Sequence, residues 1–224
     1  MNIFILDSLH NYLSHVFIKT KIQLSLLCII LLLTIYFGFV YEKKPSWQGM
    51  PAKNEPIQTK IENALPFKYK KFYITPLANY SITGIALSTK RYFFDPVSSI
   101  SPIDIAIVWK KMSVADVINE FEFKHRRRAI IYRTKKDYWP IMENEVKTCI
   151  SNNHCIPADK NIKKKLLKIK KYDLITIKGQ LVKAEKPGMG PWTSSLSRDD
   201  GARWGELVGC EIIYVTDVEI LKRN

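Results

Sequence analysis

The pattern of hydrophobic and polar positions divides the chain into three unequal parts. From Ile22 to Tyr41 twenty residues, IQLSLLCIILLLTIYFGFVY, pass without a charge, with Lys21 before them and Glu42-Lys43-Lys44 after. A helix of that length crosses about 30 Å of hydrocarbon and satisfies its own backbone polar groups, so a transmembrane helix is predicted over 22–41, behind a short tail at 1–21. Tyr36 and Tyr41 fall toward its end, where amphipathic rings favour the membrane interface. A cleaved signal peptide has a shorter apolar stretch and a small-residue exit, and Phe37-Gly38-Phe39-Val40-Tyr41 supplies neither. Residues 42–66 hold four prolines and no sustained period and read as an extended linker.

From Phe67 the pattern becomes that of one β-rich domain, 67–224. Strands are expected at Asn79–Leu87, Ile118–Phe123, Ala129–Thr134, Leu174–Ala184 and Glu211–Val218, with Gly179 marking a bulge or bend. Helix starts are read at Ser101-Pro102-Ile103-Asp104, at Ser113 for a brief turn through Val117, and at Asp159. Five or six strands with two or three short helices make an α+β domain, and a partly closed, barrel-like sheet is the preferred form.

Charge changes this picture. The chain carries 35 basic and 21 acidic residues, a net +14, and all but two of the former and one of the latter lie beyond the apolar span. Between Asp159 and Lys171, Ile162, Leu166 and Ile169 recur at helical spacing, so one stripe faces a core. Lys160, Lys163, Lys164, Lys165, Lys168, Lys170 and Lys171 cover the remainder. Like charges at such spacings cost about a few tenths of a kcal/mol per pair, and no glutamate is interspersed to relieve them. Together with His125-Arg126-Arg127-Arg128, Arg133, Lys135 and Lys136, they form a candidate anion-binding surface. For a tethered domain the nearest large anion is the leaflet, where each basic residue contributes about 1 kcal/mol. Nucleic acid ranks below lipid, because no reading motif and no aromatic interleaving accompany the basic run.

Candidate chemistry is sparser. Cys149, Cys155, His154 and Cys210 have ligand types for zinc but not the spacing of a ribbon or finger, and no metal or other cofactor is expected. In an oxidising compartment Cys149 and Cys155 are near enough in sequence to pair; in a reducing one all would stay free. Cys28 lies in the span. The alternative to pure binding is a hydrolase using Ser195 or Cys210 as nucleophile, with His154 and Asp200. Residues 197–209, SRDDGARWGELVG, look like a box of membrane-anchored signal peptidases, for which Ser151 with Lys183 or Lys186 would be the nominal pair. The S-N-N-H setting of Ser151, far past the span, departs from that family's nucleophile motif, and Arg198, Asp200, Arg203 and Trp204 then read as a polar turn.

A wider likeness covers most of the chain past the linker. The runs Y-S-I-T-G-I-A-L-S, S-P-I-D-I-A-I-V-W-K-K-M-S, N-H-C-I-P-A, D-L-I-T-I-K-G-Q-L-V and W-T-S-S-L-S-R-D-D-G followed by C-E resemble a group of uncharacterised bacterial single-span membrane proteins. On that resemblance His154, Pro157, Gly179, Ser194, Ser195, Arg198, Asp200, Cys210 and Glu211 match positions of the group's pattern, which brings no activity with it. Tyr172 and the longer link Ala202–Gly209 depart from it. The expectation is a bacterial inner-membrane protein with one span and a basic domain on the periplasmic side. Lys19 and Lys21 nearly balance Lys43, Lys44 and Lys53, so that side follows from the common arrangement of a lone N-terminal anchor. Its partners would be the membrane, anionic headgroups and a protein.

Overall fold

A computed structural model describes residues 2–36, 44–197 and 210–222, in two units, Met1–Lys44 and Pro45–Asn224. In the first unit, helix α1 runs from Asn2 to Ile35. Its part from His15 to Ile35 is long and apolar enough to cross a membrane, which starts the apolar stretch earlier than Ile22; Tyr41 lies outside the described residues. Leu24, Leu27 and Leu32 are each about two-thirds exposed. Leaving such side chains in water forgoes about 1.5–3 kcal/mol apiece, so this surface is compatible with a membrane anchor.

The second unit is built on one long strand. β3, Phe72–Arg91, has 20 residues. Along Tyr73–Ile85 it pairs with β8 (Leu174–Lys186), and along Ile85–Arg91 with β4 (Ile103–Val108). The handover falls beside Gly84, where a methyl group would overlap the Ile107 side chain and the Val108 carbonyl, and at a register shift between Ala86 and Ser88. Glycine and bulge together let one strand turn a corner and serve two neighbours. The circuit continues from β4 to β7 (Ile150–Pro157), then in parallel to β10 (Cys210–Lys222), then antiparallel to β8 and back to β3. The sheet is therefore ring-like, rather than the partly closed barrel expected. β1 (Ile57–Lys60) and β2 (Phe67–Tyr69) add to β3, β9 (Met189–Thr193) adds to β8, and β5 (Phe121–Arg126) with β6 (Ala129–Thr134) forms a separate hairpin.

Three short helices accompany the sheet among the described residues: α2 (Ala115–Asn119), α3 (Glu143–Thr148) and α4 (Lys160–Leu166). Asp159 caps α4 as expected, accepting from the amides of Asn161 at 2.7 Å and Ile162 at 2.8 Å. Ile162, Leu166 and Ile169 are buried against the main core cluster. The helix start expected at Ser101-Pro102 is instead the entry to β4, whose six residues are all buried. IDIAIV has no polar face to display a period, so Ser-Pro alone suggested a cap. The strand expected at Ile118–Phe123 is split between the end of α2 and the start of β5. Residues expected in the linker touch the domain: the Trp47 indole donates to the Ser113 carbonyl at 2.9 Å, Ala52 is buried, and Ile57–Lys60 pairs with Ala78–Ser81.

All four cysteines are free. Cys149 precedes β7 and Cys155 lies six residues along the extended chain, about 20 Å away, whereas a disulfide needs Cα atoms within about 7 Å.

Candidate functional site

Paired residues on neighbouring strands share one face of a sheet, so the register shows which polar groups meet. Across β3, β4, β7 and β10 one row reads Lys90, Asp104, His154, Ile212, and the next reads Ser88, Ala106, Asn152, Cys210. The alternate positions, Ile105, Asn153 and Glu211 or Ile107 and Ser151, face the other way. His154 and Cys155 thus point to opposite faces and cannot share a metal, and among the described residues no cluster of histidine, cysteine and carboxylate suits one.

The Asp104 face is a buried polar cluster. Asp104 is wholly buried, and Arg128 Nη1 donates to its Oδ1 at 2.8 Å. The same guanidinium holds both oxygens of Asp95 at 2.9–3.0 Å and the Ser101 carbonyl at 2.9 Å. Arg128 reaches this position from the β5–β6 turn, where Arg127 takes the left-handed conformation, φ 54°. His154 Nδ1 lies 2.9 Å from Asp104 Oδ1 but too far off line for a hydrogen bond, and the Trp192 ring sits 5.1 Å away, centroid to centroid. Nearby, His125 meets Ser88 Oγ at 2.8 Å through Nε2, and burial holds its imidazole down at about 4. The Tyr92 hydroxyl donates to the Arg127 carbonyl; burial first and the Asp104 charge second raise it well above its ordinary value.

The expected nucleophiles fare differently. Cys210 stands diagonal to His154 on the same face, its Sγ 3.9 Å from Asn152 Nδ2 and 4.0 Å from the Arg128 carbonyl. Ser195 Oγ interacts with Ser197, accepting from its amide at 3.1 Å. Ser194 Oγ accepts from the Ile212 amide at 3.0 Å. Ser151 is buried and accepts from Asn153 Nδ2 at 2.8 Å, while Lys183 pairs with Glu185 at 2.9 Å and Lys186 reaches the Pro96 carbonyl at 3.3 Å, so neither nominal peptidase pair is assembled. Arg198, Asp200, Arg203 and Trp204 lie outside the described residues.

The basic residues divide into two groups. Arg128 belongs to the buried network and is not the free anion-binding group expected of it. Arg126, Arg127, Lys160, Lys163, Lys164, Lys165, Lys168 and Lys170 are exposed, and Lys171 is half-buried with its ammonium 4.8 Å from the Tyr172 ring. Lys165 approaches Asp217 at 3.5 Å. Among the described residues no ion pair occupies Lys160, Lys163, Lys164 or Lys170.

Asp95, Asp104, Tyr92 and Trp192 had no place in the expected site. Asp104 alone carried a usable signal, because a carboxylate inside an all-apolar strand requires a buried partner. No protein-family model matches the chain, and comparison with curated proteins and with solved structures gives no match either.

Proposed function

We propose that the chain is a single-span bacterial inner-membrane protein whose basic domain, on the periplasmic side, binds an anionic surface or a protein partner without catalysis. One observation carries this reading: α4 and the turn after it expose Lys160, Lys163, Lys164, Lys165, Lys168 and Lys170, and among the described residues no ion pair occupies Lys160, Lys163, Lys164 or Lys170. Several cations at about 1 kcal/mol each are enough to hold a tethered domain against headgroups. The wiring is compatible with binding as well. A ring of five strands, one long bent member shared by two neighbours, and a helix between β7 and β8 parallel the layout of OB-type domains, which bind ligands on an outer face and its loops. That is an analogy of fold and assigns no ligand.

Among the described residues every buried hydrophobic core side chain lies past Pro45, so the unit 45–224 carries its own core. It is expected to sediment with phosphatidylglycerol vesicles and not with phosphatidylcholine ones. Replacing Lys163, Lys164 and Lys168 by glutamine together should abolish that. Sedimentation unaffected by the triple change sinks the lysine reading.

A hydrolase is the second reading, favoured by the His154–Asp104 approach and by Cys210 diagonal to His154 on the same face. If His154 activates Cys210, alkylation by iodoacetamide at neutral pH should slow at least about tenfold in His154→Gln, since a thiolate is the reactive form. Equal rates in the two proteins, with circular dichroism unchanged, remove this reading.

A further inference from the structure

The loop between β3 and β4, residues 92–102, carries an exposed aromatic pair. Phe93 is 72% exposed and Phe94 completely so, their ring centroids 6.2 Å apart. The loop beneath them is well secured. Asp95 Oδ1 accepts from the Val97 amide at 3.0 Å, and the Asp95 carbonyl accepts from the Ser98 hydroxyl at 2.8 Å. Arg128 grips the Asp95 carboxylate from the hairpin, and Val97 and Ile100 are buried in the second core cluster. The Tyr92 ring lies 4.0 Å from the Arg128 guanidinium. Two large apolar rings thus project from a preset support and remain permanently hydrated unless something apolar covers them.

Their surroundings are cationic. A cleft of about 350 Å³ beside Phe93 is lined by Arg91, Lys163, Tyr92, Ser98 and Ser99 among others, two cations and three hydroxyl-bearing residues with no acid. Lys70 donates to the Ser99 carbonyl, and Lys186 reaches the Pro96 carbonyl at 3.3 Å. The loop's one carboxylate, Asp95, is already taken by Arg128. Burial first and the charge of Lys163 second hold Lys70 below its ordinary value, as expected where ammonium groups crowd together.

We propose that this loop docks on the bilayer, Phe93 and Phe94 entering the boundary between headgroups and acyl chains while Arg91 and Lys163 take the phosphate of an anionic phospholipid in the cleft. Apolar rings inside a cationic rim match the two layers of an anionic leaflet, apolar within and negative at its surface. This deepens the anion-binding reading and rests on it, adding the loop to the α4 lysines, of which Lys163 alone lines the cleft.

The test uses the full-length chain in vesicles, with Phe94 replaced by the photoreactive p-benzoylphenylalanine. Irradiation is expected to yield a phospholipid adduct in vesicles containing phosphatidylglycerol and little in phosphatidylcholine alone. Arg91→Ala with Lys163→Ala should cut the adduct at least fivefold, about the factor that one cation near the surface supplies. An equal adduct in phosphatidylcholine overturns the phosphate assignment. No adduct, while the triple-glutamine change still abolishes sedimentation, overturns the loop and leaves the anion reading standing. No adduct, but saturable binding of glycerol phosphate in detergent that Arg91→Ala removes, makes the cleft a site for a soluble phosphate and overturns docking.

Discussion

Arg128→Ala should destabilise the domain by about 3–5 kcal/mol, read as a lowered urea midpoint at unchanged slope. The side chain is 17% exposed and lies between Asp104, fully buried, and Asp95. Removing it strands a carboxylate inside the protein, a larger penalty than the pair's net worth. Arg128→Lys should recover little, because an ammonium cannot span two carboxylates and the Ser101 carbonyl in one plane. Arg128→Met combined with Asp104→Leu should recover much of the loss, since the fully buried carboxylate goes with its partner and only Asp95, 28% exposed, is left to water. A loss below about 1 kcal/mol for Arg128→Ala would mean that water reaches Asp104, contrary to the packing described.

Gly179→Ala is expected to be nearly as damaging, at about 3 kcal/mol or more, for a steric reason. Gly179 sits on β8 between Tyr80 of β3 and Val215 of β10. An added methyl would overlap the Tyr214 carbonyl oxygen and come within 2.9 Å of its carbon, and backbone cannot swing aside as a side chain can. The register of β10 shifts between Val215 and Asp217, opposite this glycine, so the bulge lies on the partner strand and not on Gly179 itself. Thermal unfolding of the variant decides the matter: a melting temperature within a few degrees of the parent's, for which a change of about 1 kcal/mol suffices, excludes the clash.

Several elements could be read directly from the residues. β6 spans Ala129–Thr134 as its alternation suggests, and the Asp159 cap and the buried stripe of Ile162, Leu166 and Ile169 follow from helical spacing. β8 and β10 were recognisable because buried positions alternate with less buried ones along part of each strand, although both run past the expected ends. β4 was missed because every position in it is buried and leaves no alternation to see. The candidate site was less legible still. Asp104 and Arg128 are 24 residues apart and Arg128 stands in an arginine run, so only the fold distinguishes the buried guanidinium from its exposed neighbours. Likewise, Phe93 and Phe94 read as ordinary apolar residues until the loop around them is seen to be tied down.

The ring's wiring has a consequence for how the protein is made. β10 follows every other strand in chain order yet is inserted between β7 and β8. Until residue 222 has emerged from the ribosome or the translocation pore, both of those strands present unpaired edges, which are templates for wrong pairing. With β3 meeting β8 roughly a hundred residues later as well, closure waits on distant partners, and folding should be slow and chaperone-dependent during biosynthesis.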